Sequence, residues 1–446
     1  MNQPIKRRDF LTGLTAAGAA LALPAAGRGS LPTAPVAVAK CNTYGREMVD
    51  TLERMFDQIG GLGRLVKNKT VALKINMTGD TWQRLGFHPA GSTHFTHPAT
   101  LGATVHLLGK AGARRIRILE GPIAWGESLE EAMYNTGWDV STFTNAAPKV
   151  EYVNTNLPYP GKKPYIRVEV PKGGLLFPAY LLNTAYEECD VFVTLTKVKE
   201  HATAGITLSM KNSFGITPCT IYGDRAGEDE PYPVPYGGRG SIIHYGSRQP
   251  TKIAPPEIDP NSPRQGGYRV PRCVADLCAA RPIHLAILDA IETMAGGEGP
   301  WVRGSRYCRP GFLTVGTNCV TVDAVTMAIM GFDPMADRGK PPFENCDSTL
   351  KLAEDLGIGT RDLNQIEVIG TPIAEARFDF RAVPGGLPPR TSGPGRPAKR
   401  PPAGHCVARR EVRRLAVLLS DPIGSFSRRA SVLHIGVQLC EALPHH

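Results

Sequence analysis

No CxxC pair occurs in the 446 residues, although the chain holds ten cysteines. The nearest two, Cys273 and Cys278, stand five apart, which suits no common zinc or iron–sulfur spacing. An iron–sulfur motif is therefore not expected. The Gly-rich loop DAIETMAGGEGPW (289–301) matches neither GxGxxG nor GxxxxGK[ST], so it carries no nucleotide fingerprint. No HxH or HExxH accompanies the histidines at 88, 94 and 97. The folded body also lacks an excess of positive charge. The net charge is +10, but residues 1–29 hold +3 and residues 391–446 hold +6, which leaves about +1 for 30–390. A nucleic-acid binder carries its charge on the folded domain, so nucleic acid is not the expected partner.

What is present begins with KRRDFLTGLTAAGAALALPAAG, two arginines ahead of a weakly apolar stretch rich in Ala and Gly. This pattern predicts a twin-arginine signal over 1–29, cleaved within 22–30, and hence an exported, periplasmic protein that meets the twin-arginine export machinery. The stretch is too short and Gly-rich for a stable membrane span, so no integral segment is expected after signal removal. At the other end, residues 382–404 hold 12 Gly or Pro in 23 positions, and a basic tail follows to 446. Residues 382–446 read as a linker and an unpacked extension, with RREVRRLAVLL a candidate basic amphipathic helix.

Between the tails, 30–381 reads as one α/β domain. VALKIN (71–76), RIRILEG (115–121), DVFVTLT (190–196), IHLAILDA (283–290), FLTVGT (312–317) and QIEVIG (365–370) are strand-like. Residues 98–111, 177–189, 204–214, 272–280, 319–331 and 347–357 are helix-like. The alternation predicts a mostly parallel sheet covered by helices on both faces. Residues 223–271 hold 17 Gly or Pro in 49 and keep no periodicity; they read as a lid or wall over a site, or as disorder. Disulfides are expected to number one or two in an oxidising compartment, with Cys189 and Cys319 as small core residues.

Open α/β sheets bind ligands beyond the carboxyl ends of their strands. Those ends offer Lys74, Asn76, Glu120, Lys197, Lys199, His201 and Asp289. The segment after DVFVTLT adds Lys211 and Asn212, and the glycine loop adds Glu298 and Gly299. A lysine beside an apolar strand end needs an anion or must reach solvent along its stem. Clustered, these lysines point to a small ligand bearing phosphate or carboxylate, with His201, Lys197 or Lys199 moving protons. A divalent metal on His94, His97 and Glu120, with His88 and His201 near in sequence or space, is the other chemistry that these residue types allow. Against it, Thr96 is placed to cap the helix that Pro98 begins. Asp323, in an apolar helix, needs a lysine or a backbone donor.

The segments KINM (74–77), THPATLGATVHLLGKAGA (96–113), TKVKEHATAGITLSMKNSFGITP (196–218), LDAIETMAGGEGP (288–300) and VDAVTMAIMG (322–331) together resemble the domain-of-unknown-function family 362 over about residues 68–371. The resemblance implies that Lys74, Asn76, His97, Lys197, Lys199, His201, Lys211, Asn212, Asp289, Glu298, Gly299 and Asp323 form one constellation. Some members carry a ferredoxin-like Cys-rich segment, which is not recognisable here. Three functions follow as expectations: an enzyme acting on a small anionic substrate, a non-catalytic binding or maturation protein, or a metal-dependent enzyme using His88, His94 and His97.

Overall fold

Runs of three to eleven residues, mostly β-branched and apolar, make the strands of this chain, and alternation along each run decides which face each side chain covers. A computed structural model describes residues 30–384 except 123–126, 158–162 and 235–236. The expected export signal (1–29) and residues 385–446 of the expected linker and basic tail lie outside the described residues. The strands are β1 (Val36–Lys40), β2 (Thr70–Lys74), β3 (Arg115–Glu120), β4 (Val150–Asn154), β5 (Tyr165–Glu169), β6 (Ala179–Asn183), β7 (Val191–His201), β8 (Gly205–Thr207), β9 (Leu285–Ala295), β10 (Arg306–Cys308), β11 (Phe312–Gly316) and β12 (Val368–Gly370). The helices used below are α1 (Arg46–Gln58), α2 (Pro98–Lys110), α3 (Ser209–Asn212), α4 (Gly266–Ala280), α5 (Cys319–Ile329) and α6 (Thr349–Asp355).

The main sheet runs β12-β1-β11-β9-β7-β2-β3-β4, with β8 and β10 added to β7 and β9. Its centre, β9-β7-β2-β3-β4, is parallel throughout. β11 runs against both its neighbours. The expected mostly parallel α/β sheet is therefore the observed one. Val71, Leu73, Val191, Val193, Leu195, Leu285 and Ile287 face a core that α1 and α2 complete with Met48, Leu52, Leu101 and Val105. Ala72, Phe192, Ala286 and Leu288 face the opposite core, completed by Val270, Val274, Val322 and Val325 of α4 and α5. Both faces are thus covered.

Several expected elements differ. Residues 177–189 read as a helix but form β6, hairpin-paired to β5, followed by a 3₁₀ turn at Thr184–Tyr186. The apolar run FPAYLL fits either period, and the unread partner β5 decides it. Residues 204–214 are not one helix: β8 folds back on the end of β7 before the single turn of α3 begins. α4 starts at Gly266 rather than 272, with Pro271 inside it. Gly267 there has no room for a Cβ, which would lie 2.0 Å from the Asn345 carbonyl oxygen. The insertion 223–271 is ordered where described. Glu257 accepts from Arg264 Nη1 at 2.6 Å, from Ser262 Oγ at 2.6 Å and from the buried Arg269, which ties its distal half to α4.

All eight described cysteines are reduced and buried, so the expected disulfides are not formed among them. Cys406 and Cys440 lie outside the described residues. We expect that a thiol reagent such as Ellman's will modify no more than two thiols quickly on the native chain and all ten after denaturation. Rapid native labelling of more than two would contradict this burial.

Candidate functional site

The four parallel strands β2, β3, β7 and β9 end on the same edge, but alternation sends their terminal lysines to opposite faces. Lys197 projects on the α1/α2 face. It lies beside Asp289 in register on β9, and its Nζ donates to Asp289 Oδ2 at 2.9 Å, Tyr44 Oη at 2.9 Å and the Glu292 carbonyl at 3.0 Å. Thr100 of α2 donates to the same carboxylate at 2.9 Å. Lys197 is 0% and Asp289 1% exposed at the side chain, so this pair is sealed from any ligand.

Lys74 projects on the other face and donates to Glu120 Oε1 at 2.6 Å, the Ile75 carbonyl at 2.7 Å and Asn212 Oδ1 at 3.3 Å. Glu120 also accepts from the Met77 and Gly121 backbone, each at 2.8 Å. Burial lowers the Lys74 pKa, and Glu120 opposes that shift. Gly215 packs closely here: a Cβ would stand 2.9 Å from Lys74 Nζ.

Lys199 follows an irregularity in the β7–β9 pairing. It has no carboxylate partner. Its Nζ donates to Asn76 Oδ1 at 2.5 Å and to the Lys197 carbonyl at 3.3 Å. Burial first, then the charges of Lys211 and Lys197, push its pKa well below the ordinary 10.5. Neither Lys197 nor Lys199 snorkels to solvent.

A cavity of about 410 Å³ opens above this floor, lined in part by Lys74, Asn76, Glu120, His201, Lys211, Asn212 and Glu298. The insertion contributes Asp224, Arg239 and His244 to the lining. Trp301 closes one side, its ring packed over Gly299, and its Nε1 donates to Glu298 Oε1 at 3.3 Å.

Lys211 sits on α3. Asp323 of α5 fixes that turn: it accepts from the Ser209 backbone at 2.9 Å, Ser209 Oγ at 2.6 Å and the Met210 backbone at 3.0 Å. Asp323 thus meets backbone donors, not a lysine, and burial raises its pKa to about 7. Lys211 Nζ lies 4.2 Å from the centre of the Phe214 ring and has no hydrogen-bond or ion-pair partner among the described residues. Burial lowers its pKa to about 8, with Glu298 opposing the fall.

His201 Nδ1 accepts from the Thr203 backbone at 3.1 Å, and Glu298 Oε2 stands 3.9 Å away. Burial and then Lys211 hold its pKa near 3, so the imidazole is neutral. Burial opposes ionisation of Glu298, while hydrogen bonds from the Ala202 N–H at 2.9 Å and from Trp301 Nε1 favour the carboxylate and hold its pKa below the ordinary value. His244 is neutral for the same reason as His201, with a pKa of about 4 set first by burial. Arg239 donates its Nε and Nη2 to the Thr217 carbonyl at 2.8 and 2.5 Å.

Several expected site residues do not meet this cavity. Lys197, Lys199, Asp289 and Gly299 do not line it: the Lys197–Asp289 pair is sealed on the other face, Lys199 is buried, and Gly299 supports Trp301. The metal set also separates. His97, not Thr96, caps α2, its Nδ1 accepting from Ala99 N at 3.2 Å, and its ring stacks on Tyr44 at 3.4 Å. Thr96 instead donates to the Leu195 carbonyl at 3.0 Å. His94 bonds Thr93, His88 stacks on Tyr307, and Glu120 is taken by Lys74. Among the described residues no group of three His, Cys, Asp or Glu is placed to hold a metal ion. The sequence reading missed Arg239, Asp224, His244, Thr207 and Trp301, which also line the cavity.

The buried Lys197–Asp289 pair gives a stability test. Lys197→Met strands a buried carboxylate and should cost about 3–5 kcal/mol in urea unfolding. The double variant Lys197→Met/Asp289→Leu should regain most of that loss. Equal losses in both would mean that the pair is not the source of the cost.

The family model Domain of unknown function (DUF362) matches residues 71–328, more than half of the chain. No curated protein matches. Among solved structures, the lactate racemase apoprotein from Thermoanaerobacterium thermosaccharolyticum aligns at 13% identity with a TM-score of 0.33, over 62% of this chain and 54% of that one. A protein from Thermotoga maritima aligns at 12% identity with a TM-score of 0.32, over 58% and 52%. The chain therefore spans about half the length of these structures, and they lend nothing to the chemistry.

Proposed function

The chain belongs to the domain-of-unknown-function family 362, and from that footing we propose that it binds a small ligand bearing an acid group in the cavity beside Lys211 and moves a proton on it. One observation carries this reading: the Lys211 ammonium lines a cavity of about 410 Å³ with no protein anion in contact among the described residues. That volume falls in the usual range for small-molecule sites, about 300–1,000 Å³. A half-buried cation left unpaired is costly, and a ligand anion relieves the cost. The pKa near 8 leaves Lys211 able to give or take a proton close to neutrality. Neutral His201, steadied by Thr203 and facing Glu298, is the second proton-handling group.

Export by the twin-arginine route remains part of the proposal. It rests on Arg7 and Arg8 ahead of the apolar stretch. The eight reduced, buried cysteines agree with folding in a reducing compartment before transport. No helix among the described residues is long and apolar enough to cross a membrane.

The sign of the pH dependence follows from the direction of the shift. Lys211 is charged below a pH of about 8 and neutral above it. Affinity for an anion should therefore be full below about 8 and fall by up to tenfold per pH unit above it. Calorimetry with ligands found by a thermal-shift screen of carboxylates and phosphates measures this. Lys211→Met should weaken binding by about thirtyfold or more and abolish the pH dependence. Unchanged binding in a folded Lys211→Met protein would remove the reading.

A further inference from the structure

The donors that are free to meet a ligand are fewer than the lysines suggest. Lys74 is taken by Glu120, and Arg239 spends its Nε and Nη2 on the Thr217 carbonyl. The first N–H groups of α3, a natural phosphate seat, are already capped by Asp323. Beside Arg239 Nη1 and the His201 Nε2–H, three uncommitted donors on the cavity wall come from adjoining stretches of chain. Lys211 Nζ is the first. The second is the Asn76 amide nitrogen: Lys199 donates to Asn76 Oδ1 at 2.5 Å, which leaves Nδ2 without a protein acceptor among the described residues. The third is Thr207 Oγ1, whose residue is 4% exposed and whose hydroxyl is buried with no hydrogen-bond partner among the described residues. The backbone links these groups: Thr207 pairs with Lys199 across β7–β8, and α3 follows β8 at once.

The charge around them is not positive. The lining holds Lys74, Lys211 and Arg239 against Asp80, Glu120, Asp224 and Glu298, a formal −1 with His201 and His244 neutral. A phosphate monoester brings about −1.5 to −2 and three acceptor oxygens. A carboxylate brings one charge and two oxygens, which matches one ammonium with an amide and a hydroxyl.

Resting on the function proposed above, we infer that the acid group of the ligand is a carboxylate, held by Lys211, Asn76 and Thr207. Lys199 is a positioning residue: it turns the Asn76 amide so that its N–H faces the ligand.

The test pits acetate, glycine and benzoate against inorganic phosphate, glycerol phosphate and phenyl phosphate, using thermal shift and calorimetry on the full chain. The expected result is binding of at least one carboxylate and tenfold or weaker binding of its phosphate counterparts. Tighter binding of phosphates would overturn the inference while leaving the anion-binding function standing. No binding from either set would overturn both. Thr207→Val separates ligand recognition from folding, because that hydroxyl bonds nothing in the protein. It should leave the melting temperature unchanged and weaken the carboxylate about tenfold. Asn76→Asp sets a carboxylate against Lys199 and should abolish binding while the fold survives. Full affinity in both variants would refute the proposed contacts.

Discussion

An ammonium group taken out of water persists only beside an anion or as a neutral amine, and the carboxyl edge of this sheet is arranged around that constraint. Lys197 meets Asp289 on one face and Lys74 meets Glu120 on the other. Each pair joins adjacent strands, β7 to β9 and β2 to β3. Lys199, between them, has only an amide oxygen and a carbonyl for company, and its depressed pKa is the consequence. The floor of the cavity is thus a layer of satisfied polar groups rather than an apolar surface.

A floor built this way gives ligand recognition a rigid base. Buried polar groups that are fully bonded have one arrangement, so side chains above them inherit fixed positions. Asp323 does the same for α3 from the next layer. Its carboxylate takes the donors of a single helical turn and so sets where Lys211 emerges. The cation with no anion beside it stands on an element that an anion elsewhere holds still.

Much of the architecture was legible in the sequence because strand alternation and helix periodicity are local. The parallel strands ending in Lys74, Glu120, His201 and Asp289 were readable as such, and so was the shared edge. Which lysines face a ligand was not. Lys197 and Lys74 differ in face through the parity of their strands, and Lys199 lies beyond a pairing irregularity that nothing local announces. β6 was mistaken for a helix because its partner β5 was unseen. The wall residues Arg239 and His244 sit in an aperiodic insertion held by bonds from Arg239 to the Thr217 carbonyl and from Arg269 of α4 to Glu257. The histidines at 88, 94 and 97 looked like ligands from spacing, but two of them stack on tyrosines from distant segments.

A cluster of lysines in sequence is therefore a poor measure of the charge a ligand meets. Pairing removes Lys74 and Lys197 from the balance and burial lowers the Lys199 pKa, while carboxylates from three other segments enter the cavity. What decides the ligand is the remainder after internal bonds are satisfied. Here that remainder includes one ammonium over Phe214, the Nη1 of Arg239, one amide N–H and one hydroxyl, set against Glu298. A doubly charged ligand would meet repulsion from four lining carboxylates, and a neutral one would leave Lys211 with no anion in direct contact among the described residues.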